Sequence, residues 1–254
     1  MMPVRLIRLI AAALMISAFS LLPLRGTLAE EGLNNTQRSE VELLIHDYLR
    51  ENPEILLEAI QSLRDKQEMA QRNQAQSAVM DFNAQVADGL NAPSVGPADA
   101  SVTVVEFFDY RCGYCKRVFA DVQTLINSGD DIRFVFMEFP ILGDDSLEAS
   151  KAALAVWLNW PERYLDVHNA LMGSRGNLTS DKTMGLISAL GIDMNTLRTA
   201  MNSADVEKMI RDNHERASSM EINGTPAFII GNELVPGAIS LKDMKRLIDA
   251  ARNS

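Results

Sequence analysis

Apolar positions along this chain change their period several times, and each change marks an element. Val41, Leu44, Ile45, Tyr48 and Leu49 follow the i, i+3, i+4, i+7, i+8 spacing of one helical face, which predicts a helix. Asn52-Pro53 interrupts it with an N-cap residue followed by proline at a first helical position. Leu56, Ala59, Ile60 and Leu63 then restart the period, so two helices meet at a bend. Gln61 to Gln76 is polar and rich in helix formers. Val79, Phe82, Val86 and Leu90 come next as a thinner apolar stripe that buries little by itself. Asn91 to Ser101, with two prolines and a glycine among small residues, reads as a linker.

Beyond it the period switches from helix to strand. Val102 to Phe108 is dense in β-branched and aromatic residues, as in a central strand buried on both faces. Gly113 to about Ser128 reads as a helix and Ile132 to Phe139 as a second strand. From Ser146 to Met220 the pattern is helical, broken at Trp160-Pro161, Gly173 to Asn177 and Gly191 to Asp193. Ala227 to Ile230, the two-residue turn Gly231-Asn232 and Glu233 to Val235 read as a hairpin, and Leu241 to Arg252 as a closing helix. Strand, helix, strand, helical block, hairpin and helix is the order of an α/β thioredoxin-type fold with an all-helical insertion. The expected organisation is a helical arm over residues 30–91, then a domain over 92–254 whose insertion covers about 146–220.

The start of the chain changes the compartment. Arg5 and Arg8, an apolar run from Leu9 to Leu22 and the small-residue stretch Gly26 to Ala29 have the layout of a secretory signal peptide over residues 1–29. The run is shorter than the about 20 residues of a membrane span. Its removal takes three arginines and no acid, moving the formal charge from −10 to −13. Such an acidic chain without basic clusters is unsuited to nucleic acid or to an anionic membrane surface. Export also implies surroundings that permit disulfides.

In that setting the only two cysteines of the 254 residues, Cys112 and Cys115, carry the chemistry. A C-x-x-C between a strand and a helix reads as a redox pair: the first thiol meets the unpaired amides and positive end of the helix, which favours the nucleophilic thiolate. Cys115, one turn on, is placed to resolve a mixed disulfide. A loop this small does not staple a fold, and a zinc site would need more ligands, so no metal or cofactor is expected. Glu106 is a carboxyl in an otherwise apolar strand, able to move protons for Cys115 if buried and an idle surface group if not. Thr225-Pro226 opens the apolar strand at Ala227. A cis bond there would leave the Thr225 backbone free for a substrate strand, whereas a trans one would merely end a loop. Arg111, Lys116 and Arg117 put positive charge beside the pair, either favouring the thiolate or standing as solvated helix-start residues. His168 shares a helical face with Tyr164, Val167 and Leu171 and reads as a packed histidine.

Val104 to Lys116, containing Glu106 and Cys112-Gly113-Tyr114-Cys115, together with Gly224 to Phe228 resembles the DsbA-like family of exported thiol–disulfide oxidoreductases over Val95 to Arg252. The resemblance implies Cys112 as nucleophile, Cys115 as resolving thiol, Glu106 as buried acid and Pro226 as the cis-proline, with Gly113, Tyr114 and Thr225 lining the substrate site. Gly113-Tyr114 stands where the strong oxidase has proline and histidine, and Thr225 where it has valine; both are similar to exported disulfide isomerases. The arm resembles the stalk of the ScsC-like branch. The resemblance therefore implies a periplasmic homo-oligomer, dimer or trimer, that exchanges disulfides with exported clients and is served by a membrane redox partner. Isomerase or reductase activity is favoured, with net oxidation or Cu(I) binding by the same dithiol as alternatives.

Overall fold

The computed structural model describes residues 32–129 and 131–253. The signal-peptide reading of 1–29 lies outside them. Contacts divide the chain into two units, one ending at Leu63 and one beginning at Arg64.

In the first unit, α1 (Asn35–Glu51) begins at a capping box: the Gln37 amide donates to Asn34 Oδ1 at 2.9 Å and the Asn34 amide to Gln37 Oε1 at 3.0 Å. The break falls where the sequence places it, but Asn52 serves as the C-cap of α1 rather than as the N-cap of the second helix, and α2 (Glu54–Ala87) begins after Pro53. The α1 residues are without buried members, and Leu43, Leu44, Ile45, Tyr48, Leu57 and Leu63 are all more than half exposed in the single chain.

The second unit is built on a five-stranded sheet of order β1-β3-β2-β4-β5: β1 (Ser94–Val95), β2 (Val102–Phe108), β3 (Ile132–Glu138), β4 (Ala227–Ile230) and β5 (Glu233–Pro236). Only β2 and β3 are parallel, joined through α3 (Gly113–Ile126), and the other neighbours run antiparallel. Strand alternation sorts the core. Val104, Phe108, Phe134, Phe136 and Phe228 pack with α3 and with the helices between β3 and β4. Val105, Phe107, Val135, Met137 and Ile229 pack on the opposite face, with Val79, Phe82 and Val86 of α2. The thin stripe at the end of α2 is thus buried, because the sheet supplies the partner surface it lacks alone.

The stretch read as a linker differs from that expectation. Ser94 and Val95 pair with Val135 and Phe134, and the Phe136 amide donates to the Pro93 carbonyl at 2.8 Å. Gly96 permits this approach, since its φ is 97° and an added Cβ would lie 2.1 Å from the Ile132 carbonyl oxygen. The turn residues that suggested a linker are those an edge strand needs to enter and leave.

The insertion is all helical: α4 (Asp144–Asn159), a short 3₁₀ turn Pro161–Arg163, α5 (Tyr164–Met172), α6 (Ser180–Ala189), α7 (Met194–Ala200) and α8 (Ala204–Ser219). Thr179, Asp193 and Ser203 cap the last three. The hairpin β4–β5 leads to α9 (Leu241–Arg252), capped by Ser240. A thioredoxin-like sheet with a helical insertion and N-terminal helices is the architecture expected.

Candidate active site

The site forms where β2 ends and α3 begins. Cys112 is the N-cap of α3, with φ −69° and ψ 117°, and its sulfur accepts from the Cys115 amide at 3.5 Å. Its own amide is held by the Asp109 carbonyl at 3.0 Å. From the other side the Cys112 sulfur lies 3.2 Å from the Thr225 carbonyl, to which its thiol form donates, next to the cis Thr225–Pro226 bond. Both cysteines are free thiols. Hydrogen bonding by the Cys115 thiol, with lesser help from the Thr225 side chain and the Cys115 and Tyr114 amides, outweighs burial and lowers the Cys112 pKa to about 5. Burial first, and then its bond to Cys112, pushes the Cys115 thiol far up. One sulfur is therefore ionised at neutral pH and the other protonated.

Cys112 is only 6% exposed and Cys115 1%. In-line exchange at sulfur needs one open line of approach rather than a bare side chain. The chain around Gly113 leaves space free, and the Tyr114 ring is 57% exposed.

Glu106 lies on the same strand face as Val104 and Phe108, the face that α3 covers, and is 3% exposed. Burial, reinforced by the Cys112 charge, raises its pKa to about 8. The Glu106 charge in turn raises the Cys115 thiol, so the carboxyl lies in electrostatic reach of both sulfurs.

The sequence left the three flanking cations as either thiolate support or solvated helix-start residues; in the structure each has another partner. Arg111 donates to the Leu142 carbonyl at 2.9 Å and pairs with Asp145 at 3.7 Å. Lys116 donates to the carbonyls of Leu171, Met172 and Ser174, closing the end of α5. Arg117 lies 4.7 Å above the Tyr114 ring.

Two further carboxyls matter that sequence reasoning passed over. Asp109, fully buried, accepts at Oδ1 from the Arg111 amide at 2.7 Å and Ser146 Oγ at 2.8 Å. Its Oδ2 accepts from the Ile141 and Leu142 amides at 2.9 and 3.0 Å. It ties the loop before Cys112 to the start of the insertion. Glu138, also fully buried, accepts the hydroxyls of Tyr110, Tyr164 and Ser150 at 2.9, 2.9 and 2.8 Å. Its signal was present: a carboxyl in an apolar strand, as at Glu106. His168 is packed among Phe108, Phe136 and Tyr164, and burial lowers its pKa to about 3.

A dithiol at the amino end of a helix, on a thioredoxin-like sheet and facing a cis-proline, defines a thiol–disulfide oxidoreductase. A family profile described as DSBA-like thioredoxin domain matches residues 103–249, and one described as Copper resistance protein ScsC N-terminal domain matches residues 37–70. The chain belongs to the DSBA-like thioredoxin domain family. Among solved structures, the thiol-disulfide exchange protein alpha-DsbA2 from Wolbachia pipientis is 32% identical, with TM-score 0.65 over 71% of this chain and 97% of its own. Proteus mirabilis ScsC in a transitional conformation is 30% identical, with TM-score 0.64 over 87% of this chain and 99% of its own. Disulfide bond formation protein D of Bacillus subtilis is 26% identical over 167 residues, covering 62% of this chain and 75% of that protein. Several Na(+)/H(+) antiporters also match, but over only 24–26% of their length.

Proposed function

We propose that the chain works in the periplasm as an oligomeric thiol–disulfide oxidoreductase that reduces and reshuffles the disulfides of exported proteins in preference to oxidising them. The observation that carries this reading is the Cys112 sulfur, ionised at a helix N-terminus and bordered by the Thr225 backbone. In the reductive direction the Cys112 thiolate attacks one sulfur of a client disulfide. The client S–S bond breaks, the second client sulfur leaves with the electron pair and is protonated, and Cys112 is held in a mixed disulfide. Cys115 then loses its proton to the ionised form of Glu106, which the Cys112 charge no longer opposes in the mixed disulfide, and attacks Cys112 Sγ. The client leaves as a dithiol, and Cys112 and Cys115 are oxidised to a disulfide. Pro226, Thr225, Gly113 and Tyr114 border the approach.

The Gly113-Tyr114 dipeptide supports the milder direction. The Tyr114 ring is turned outward under Arg117 instead of lending charge to the sulfur. A Cys112 pKa of about 5 falls between the values of about 3.5 and about 7 found at a strong oxidase and a reductase. Periplasmic residence is supported by the signal-peptide pattern and by a solved relative described as a periplasmic thioredoxin-like protein from Salmonella enterica, 27% identical. Refolding of a scrambled substrate against oxidation of a reduced one tests the direction: faster net oxidation than reshuffling overturns it.

Glu106→Gln is expected to lengthen the lifetime of the mixed disulfide about 10²-fold, the usual scale of a lost general base, and to remove a pH inflection near 8. Quenched-flow trapping across pH checks both. Oligomerisation is assigned to the arm, residues 30–91, most of whose exposed large apolar residues precede Arg64. The double variant Leu44→Asp, Leu57→Asp should run as a monomer in light scattering and lose reshuffling while single-disulfide exchange continues, since two or three linked sites raise the local thiol concentration. A wild-type monomer would contradict the assignment.

A further inference from the structure

Asp109 is buried beside the dithiol, yet the exchange steps described above do not use it. Each of its carboxyl oxygens takes two donors, the Arg111 amide and Ser146 Oγ on Oδ1 and the Ile141 and Leu142 amides on Oδ2. Three of these four donors come from the connection into α4 and from α4 itself. The backbone of the same residue faces both cysteines. Its carbonyl accepts the Cys112 amide at 3.0 Å, closing a turn from Asp109 to Cys112, and the Arg111 bond to Oδ1 adds an Asx turn inside it. On the other side the Asp109 backbone hydrogen-bonds the Cys115 sulfur. Burial dominates there and raises the thiol's pKa, and this bond pulls it back down, as an N–H donor to a thiolate does.

Resting on the reading of the site as a disulfide-exchange centre, we propose that Asp109 is a positioning residue for the resolving step: its side chain, gripped by the start of the insertion, holds its own backbone amide toward the Cys115 sulfur. In that step the Cys115 proton goes to Glu106, the Cys115 sulfur forms a bond to Cys112 Sγ, and the client sulfur leaves with the electron pair. Negative charge passes through the Cys115 sulfur, where burial opposes it. A fixed amide dipole aimed at that sulfur stabilises the charge without reorganisation. Cys112 depends on Asp109 less, because its charge is held by the Cys115 thiol, the Thr225 side chain and the amides at the start of α3. The two displacements should therefore respond differently when the Asp109 side chain is changed.

Stopped-flow reaction of the reduced full-length protein with dithiobis(nitrobenzoate) reads both displacements in one trace. Attack by Cys112 releases a first equivalent of coloured thionitrobenzoate and leaves the mixed disulfide; attack by Cys115 on Cys112 Sγ releases the second. Asp109→Asn keeps the side chain's size but replaces one acceptor oxygen with a donor nitrogen, set against groups that already donate. The second release should slow about tenfold, within the range of a misplaced reacting group, while the first stays within about twofold. Ser146→Ala, which removes one donor from Oδ1, should slow the second release about threefold and carries the test if Asp109→Asn does not fold. Ser150→Ala takes a like hydroxyl from Glu138 and should change neither release. A second release at the wild-type rate, equal slowing of both releases, or the same slowing in Ser150→Ala overturns the positioning role. A wild type that gives no first release removes the exchange reading as well.

Discussion

Cys112→Ala protein is expected to lose disulfide exchange by about 10³-fold or more, and Cys115→Ala protein to accumulate mixed disulfides with its clients. Without the sulfur at the N-cap of α3 there is no nucleophile, because Cys115 is 1% exposed and its thiol is pushed far above neutrality. Without Cys115, the first displacement still occurs but nothing inside the protein attacks Cys112 Sγ. Insulin reduction measures the first loss, and intact mass under non-reducing conditions reads the second as a client-sized adduct. Alkylation of the wild type adds a pH signature. Its rate should reach half its plateau near pH 5, where Cys112 ionises. A midpoint near pH 8 to 9, as for an ordinary thiol, would remove the site from the helix-stabilised class.

Glu138→Ala should produce a large loss of stability. It takes a buried partner from the hydroxyls of Tyr110, Tyr164 and Ser150, of which Tyr110 keeps a contact to His168 Nδ1 at 3.3 Å. Each unsatisfied buried group costs about 1–3 kcal/mol. A total of about 4 kcal/mol is expected, read as a lowered denaturant midpoint with an unchanged m-value. A loss below about 1 kcal/mol would show that the three hydroxyls find other partners. Burial raises the Glu138 pKa to about 8 against the pull of those bonds, and Glu106 is raised likewise. Both carboxyls therefore keep protons in the folded state that the unfolded chain releases near 4.5. Their contribution to stability is full below pH 4.5 and is lost as pH rises through about 8. Glu106→Gln should flatten this decline.

How much the sequence made legible depended on how local each signal was. Cys112, Cys115 and the Val102 to Phe108 strand are written in contiguous residues, and the order of elements constrained the sheet. Glu106 was visible because a carboxyl in an apolar strand demands a reason. Glu138 carried the same signal, but its reason lies in Tyr110, Tyr164 and Ser150, which are 12 to 28 residues away along the chain. Asp109 was hidden for a similar cause: its donors come from both ends of a connection that only the folded sheet closes. The flanking cations were left open, as thiolate support or solvated residues, because sequence adjacency does not fix where a long side chain ends. Their side chains are long enough to serve backbone carbonyls elsewhere.

Lys116 gives this last point a further meaning. The residue immediately after the resolving cysteine ends its side chain on three carbonyls at the close of α5, so the helix that carries the dithiol is moored to the inserted helices by one ammonium group. A graft that swapped this insertion for one from a relative would have to reproduce that berth, or the reactive turn would be left riding on an unmoored charge.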